Sequence, residues 1–220
     1  MLKNQDIVCI APNRWDSPLR RRQQVMSRLA RRNRIVYVSF NLKRWRDNLL
    51  PRARWLATYP PRLSRRQSGL SELPLFNILP NRLTSHPLAR RINSALTTPA
   101  LERLANQPWR SRPILWYTFP VLVDAHRHLD PKLILYDRSD RWPEYYSQDE
   151  RRLLKRADLV FATAQTLLET AEHFNPNVHL VPNGVDAAAY GQALLSETVV
   201  PSDVADLDKP VIGLVGAINA

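Results

Sequence analysis

Two aspartates three positions apart, Asp137 and Asp140, close an apolar run that includes Ile134-Leu135-Tyr136. A carboxylate at the end of a strand can accept a hydrogen bond from a reacting hydroxyl; it can equally cap the turn that follows. Asn13-Arg14-Trp15-Asp16, and then Arg21, come just after another apolar run at 6–11. Arginine presents a planar fork of donors that suits phosphate, so Arg14 or Arg21 can hold an anionic group. Trp15 can stack on a ligand or pack into the core, and both readings stand. No metal is expected: His126 and His128 point to different faces of a helix, and His173 and His179 show no ligand spacing. Cys9, the only cysteine, sits within Ile7-Val8-Cys9-Ile10 and reads as a buried, inert thiol in a reducing, cytoplasmic setting.

Such residues act only where a scaffold converges them. Strand-like runs recur at 6–11, 34–40, 74–79, 112–117, 132–137, 158–163 and 177–181, separated by helical stretches. That alternation predicts an α/β fold, a Rossmann-like parallel sheet with helices on both faces. In the first helix Ser17 can cap, Pro18 suits the first turn, and Val25, Met26, Leu29 and Ala30 share one face while the arginines take the other. Residues 148–156 read as a basic helix, and Thr166 with Glu169 as a capping box for the next one. Between 42 and 71 arginine, tryptophan and proline follow no period, which reads as a long loop or amphipathic excursion. Pro182-Asn183-Gly184-Val185-Asp186 is a turn in which Gly184 can supply positive φ, and 210–216 reads as a fresh buried strand.

With 220 residues the chain can bury one good α/β core plus a remnant. Eighteen prolines against five glycines make glycine-rich phosphate loops scarce, and no Gly-x-Gly-x-x-Gly occurs. No signal peptide and no apolar run of membrane-spanning length is present. The formal charge of +12 concentrates in the first half, from Arg20-Arg21-Arg22 through Arg65-Arg66 to Arg90-Arg91. That half should attract anions, with the anionic inner face of the plasma membrane as a candidate partner. No RNA-binding motif or recognition-helix pattern supports nucleic acid. A non-enzymatic basic α/β module binding an anionic membrane surface or nucleic acid is therefore the alternative to an enzyme.

Three matches narrow the choice. Trp15-Asp16 precedes Arg21-Arg22-Gln23-Gln24 and Met26-Ser27-Arg28-Leu29-Ala30. Leu135-Tyr136-Asp137-Arg138-Ser139-Asp140-Arg141-Trp142 precedes Ala157-Asp158-Leu159-Val160. Val181-Pro182-Asn183-Gly184-Val185-Asp186 precedes Pro210-Val211-Ile212-Gly213-Leu214-Val215-Gly216. In this order the sequence resembles the N-terminal half of GT-B-fold retaining glycosyltransferases, family 4-like, of the type that makes bacterial exopolysaccharide and teichuronic-acid-like polymers. It departs from the pattern at Arg22, where relatives carry proline, and at Ala11-Pro12-Asn13, where many carry glycines.

The resemblance implies sugar transfer from a nucleotide-sugar to a polysaccharide or lipid-linked acceptor. It implies catalytic roles for Asp137 and Asp140, an acceptor site at Asn13, Arg14, Trp15, Asp16 and Arg21, and an interdomain hinge at Asn183, Gly184 and Asp186. The implied organisation is an acceptor-side domain at 1–183, a linker at 184–209, and at 210–220 the first strand of a donor-binding domain. Charge developing on the departing phosphates needs cations and a helix N-terminus. Those groups belong to the second domain, so the nucleotide-sugar is a co-substrate bound mainly there, no cofactor is expected, and this half alone should be inactive.

Overall fold

Runs of branched and aromatic residues build the centre of the molecule. The structure, a computed structural model, describes residues 2–40, 61–75, 86–205, 207–208 and 210–213. Asp6–Ala11 (β1), Arg34–Phe40 (β2), Ser64–Gln67 (β3), Leu70–Leu75 (β4), Ile114–Tyr117 (β5), Leu133–Arg138 (β6), Leu159–Ala162 (β7) and Val178–Leu180 (β8) form one sheet. Their order is β3-β4-β2-β1-β5-β6-β7-β8, and every pairing is parallel except β3 with β4.

All six residues of β1 are buried, as a strand covered on both faces requires. Alternate side chains feed two separate cores. Val8, Ile10, Val36, Val38, Leu115 and Tyr136 enter one; Ile7, Cys9, Ile35, Tyr37, Trp116 and Leu135 enter the other. Helix α1 (Arg21–Ala30) covers the second core with Met26 and Ala30. Helix α2 (Pro87–Ala105) brings Ala100, Leu101 and Leu104 to the first, beside the short α3 (His126–Leu129) and Leu153 and Leu154 of α4 (Ser147–Arg156). Each fully buried side chain of the size of Met26 or Leu104 contributes about 2 kcal/mol. Helix α5 (Gln165–Glu172) precedes β8 and buries Ala171. The sheet is thus helix-covered on both faces, as the alternation predicts, with one antiparallel edge strand added.

That edge is the main departure. The strand expected at 74–79 begins instead at Leu70, and the part of the expected irregular excursion from Ser64 to Ser71 is a hairpin. Gln67 pairs with Leu70 across Ser68-Gly69, and Gly69 takes φ +73°. A Cβ there would lie 2.2 Å from the carbonyl oxygen of Ala30, so only glycine fits. Pro74 is tolerated because β3 pairs with β4 only as far as Glu72. Residues 41–60 and 76–85, which carry the rest of the excursion and of that expected strand, lie outside the described residues.

Two caps also move. Ser17 does not cap α1; its Oγ donates to the Arg14 carbonyl at 2.6 Å and accepts from Gln23 Nε2 at 2.9 Å. The helix starts at Arg21, with Gln23 Oε1 accepting from the Arg20 N–H at 3.1 Å. Likewise Thr166 lies inside α5, whose N-cap is Ala164. The arginines of α1 do not all face solvent either, since Arg22 is only 6% exposed.

Residues 184–220 form a second unit. Asp186 Oδ1 accepts from the Ala189 N–H at 3.3 Å, capping α6 (Ala187–Gly191), and α7 (Ser202–Ala205) follows. Gly184 does not use positive φ; among the described glycines Gly69 alone does. Residues 211–213 form no strand, and 214–220, which contain the rest of the strand expected at 210–216, lie outside the described residues.

Candidate functional site

Strand order dictates where a site can form. The chain runs outward from β1 through β2 to β4, then returns to place β5 on the other side of β1. In open α/β sheets the crevice outside the carboxyl ends of the strands at such a reversal is where ligands bind. Thr118 closes the floor of that crevice, its N–H and Oγ1 both donating to the Ile10 carbonyl at 2.9 and 3.0 Å. The loop after β1 and the ends of β5 and β6 surround it.

Arg21 and Asp137 meet there. Arg21, in the first turn of α1, donates through Nε to both oxygens of Asp137 at 3.1 Å. Its Nη1 donates to the Pro182 carbonyl at 3.0 Å and to Asn183 Oδ1 at 3.3 Å. One guanidinium therefore fastens the end of β6 to the segment that follows β8. Asp137 is 2% exposed; burial raises its pKa, and the Arg21 bonds oppose that rise without cancelling it.

Asp140 stands apart. It is exposed, and its nearest described polar contact is Ser139 Oγ at 3.1 Å. Its loop is braced from behind. Trp142 Nε1 donates to Tyr136 Oη at 3.1 Å, Tyr136 Oη donates to Glu150 Oε1 at 2.9 Å, and Arg138 Nε reaches the same oxygen at 2.9 Å. The Trp142 ring sits edge-on to Phe119, centroids 4.7 Å apart. Tyr136 and Trp142 thus build the frame that presents Asp140.

Arg14, Trp15 and Asp16 gather around a different carboxylate. Glu72 on β4 is completely buried and accepts from Arg14 Nε at 2.8 Å, the Trp15 N–H at 3.1 Å and Ser39 Oγ, while Arg66 spans Glu72 and Asp16. Burial alone would raise the Glu72 pKa; the bonds from Ser39, Trp15 and Arg14 outweigh it and hold the group below its ordinary value. Trp15 packs edge-on against Tyr37 at 5.1 Å, so packing accounts for one side of its ring. Asn13 lies in the same loop, half-buried.

Sequence reasoning missed Glu72 and the buried Arg22. No ion pair holds Arg22 among the described residues, and its Nε has no hydrogen-bond partner there. Burial lowers its pKa, with Tyr37 the largest opposing influence. Glu72 carried no signal because it falls between the stretch without period that ends at 71 and the strand expected from 74; Arg22 did, standing where the resembling family has proline. The hinge candidates divide: Asn183 is held by Arg21, Asp186 caps α6, and Gly184 has open space around it.

No family model and no curated protein matches the sequence. Solved structures do match. A sucrose-phosphate synthase from Thermosynechococcus elongatus aligns over 86% of this chain and 95% of its own, with TM-score 0.51 and 12% identity. A trehalose-6-phosphate structure from E. coli, bound with UDP-2-fluoro glucose, aligns over 90% of this chain and 53% of its own, with TM-score 0.53 and 10% identity. The chain therefore spans about half the length of the second structure. Both neighbours are GT-B glycosyltransferases, and the fold of this chain is the Rossmann-like fold of that class.

Proposed function

We propose that this chain is the acceptor-side half of a glycosyltransferase that moves a sugar from a nucleotide-sugar to a polysaccharide or lipid-linked acceptor. The observation that carries the reading is the Arg21–Asp137 tie at the carboxyl edge of the sheet, with Asp140 exposed on the neighbouring loop. Asp140 then orients the attacking hydroxyl by accepting its hydrogen bond, and Asp137 serves as a positioning residue that anchors Arg21. Arg14 keeps 38% of its side chain accessible beyond its bond to Glu72, enough to meet an anionic acceptor. The exopolysaccharide type and a cytoplasmic setting on the inner face of the plasma membrane belong to the same proposal; no described helix is long and apolar enough to cross a membrane. The domain division at 1–183, 184–209 and 210–220, with donor binding mainly in a further domain, belongs to it too.

The alternative, a basic module docking on an anionic surface, draws less support. Arg21, Arg34 and Arg66 each face a carboxylate of this chain, so these three cations of the basic half are engaged within the fold.

The test uses protein from the full reading frame beside the 220-residue chain. Nucleotide-sugar should bind the former and show no millimolar-or-better affinity for the latter. Asp140→Asn in the former should lower kcat at least tenfold with an unchanged melting temperature. Tight nucleotide-sugar binding by the 220-residue chain, or full turnover by Asp140→Asn, overturns the reading.

A further inference from the structure

Arg22 stands second in α1, is 6% exposed, and makes no ion pair among the described residues. A helical side chain leans toward the N-terminus of its own helix, and that end of α1 lies at the carboxyl edge of the sheet, where Arg21 bonds Asp137. The Arg22 guanidinium is thereby carried under the first turn, toward the crevice. No counter-ion meets it there. Burial is the largest influence on its charge, ahead of Tyr37, Arg20 and Cys9, with Asp140 the weakest. Burial keeps Tyr37 and Cys9 protonated and neutral, and Tyr37 Oη, beside Arg22, has no hydrogen-bond partner of normal geometry. Asp137 takes Arg21 instead, and the first turn of α1 holds no acidic residue. Arg22 Nε is shut off from solvent; Nη1 and Nη2 make no described hydrogen bond and are not shut off, so the open area of the residue includes both. A buried cation without an anion is costly, and the accessible edge of this one can receive an anion from outside.

We infer that Arg22 binds an oxyanion of the acceptor, a phosphoryl or carboxylate group held by Nη1 and Nη2 at the N-terminus of α1. The inference rests on the acceptor-side reading above and narrows it: the acceptor carries a negative group near its reacting hydroxyl. The two Nη nitrogens offer parallel donors to two oxygens of one group. The helix terminus favours the same sign of charge. Arg21 already engages Asp137, and Asp140 stays free for the hydroxyl. The donor's phosphates fall, in that reading, to the further domain. Since the resembling family carries proline here, the cation is a property of this chain and sets which acceptor it takes.

The full 220-residue chain, labelled with nitrogen-15, is titrated with inorganic phosphate and separately with glucuronate, at ionic strength matched by chloride. The Arg22 Nε–H resonance, identified by its loss in Arg22→Met, and the backbone amides of Arg21 and Arg22 should move saturably. Saturation with phosphate alone identifies a phosphoryl-bearing acceptor, with glucuronate alone an acidic sugar, and with both any oxyanion; each supports the inference. Arg22→Met keeps an apolar stem and removes the charge. It should weaken binding at least tenfold, read from backbone amides, without lowering the melting temperature. Arg22→Lys keeps the charge without the fork and should weaken binding at least threefold. Arg31→Ala, at the other end of α1, should bind as the native chain does. Resonances that drift only with ionic strength, in chloride as in the two probes, overturn the inference. Unchanged affinity in both Arg22 variants overturns it, as does an equal loss in Arg31→Ala, which would mean a diffuse basic surface. No turnover and no nucleotide-sugar enters these measurements, so their failure is separate from that of the Asp140→Asn test.

Discussion

Arg21 Nε lies 3.1 Å from each carboxylate oxygen of Asp137, a residue 116 positions further along the chain. With 16% of the arginine side chain and 2% of the aspartate exposed, the pair is nearly dry. Its geometry joins α1, β6 and the 182–183 segment at one point.

Breaking that pair from one side should cost more than removing it altogether. Arg21→Ala leaves a buried carboxylate alone and should destabilise by about 3 kcal/mol in urea unfolding. Adding Asp137→Asn should recover a good part of the loss, because the uncompensated charge is gone. Arg21→Ala should also release Pro182 and Asn183 and speed proteolytic cleavage there. Stabilities that add independently in the double variant would show that the two side chains do not depend on each other.

The two buried carboxylates should bend stability in opposite directions with pH. Asp137 has a raised folded pKa, so its stabilising contribution is complete below the ordinary aspartate value and is lost as pH climbs through the folded value. Glu72 has a lowered folded pKa, so its contribution is complete above the ordinary glutamate value and is lost as pH falls through the folded value. The stability difference between the native chain and Asp137→Asn should therefore shrink as pH rises above about 4. The difference between the native chain and Glu72→Gln should grow as pH rises toward about 4.3 and then level. Parallel pH profiles for the two variants would contradict this assignment.

These two carboxylates also show how far the sequence could be read. Asp137 ends a run whose period and composition announce a buried strand, so its place at the carboxyl edge was legible. Its partner was not, because a pairing over 116 positions depends on how α1 lies across the sheet. The parallel strands β1, β2, β5, β6 and β7 were legible for the same reason as Asp137: two-sided burial demands unbroken apolar runs. The β3–β4 hairpin was hidden because Ser64-Arg65-Arg66-Gln67 is polar and β4 contains Pro74. What specifies that hairpin is Gly69, whose need for positive φ appears only once Ala30 is placed against it.

Gly69→Ala should accordingly cost more than an ordinary surface substitution. It must bear φ +73° without glycine's freedom and push its Cβ against the Ala30 carbonyl, which is backbone and cannot swing away. A loss of about 2 kcal/mol or more is expected in thermal or urea unfolding. Chemical-shift changes should centre on residues 30–33 and 67–71. A variant as stable as the native chain would mean that the hairpin shifts without cost.

Trp142→Phe separates the frame of the Asp140 loop from its packing. The substitution keeps an aromatic ring against Phe119, and removes the donor to Tyr136 Oη. Tyr136 still donates to Glu150, so its hydroxyl retains one partner and the global loss should be about 1 kcal/mol. Trp142→Ala removes the ring contact too and should cost about 3 kcal/mol. The local effect of Trp142→Phe should exceed the global one: amide exchange at 139–142 should accelerate at least tenfold while the amides of β6 keep their protection. Equal acceleration in the loop and in β6 would make Trp142 a core residue only. Selective loosening of the loop would make it the residue that holds Asp140 in position, and in protein from the full reading frame its loss should then lower kcat while the melting temperature moves by only a few degrees.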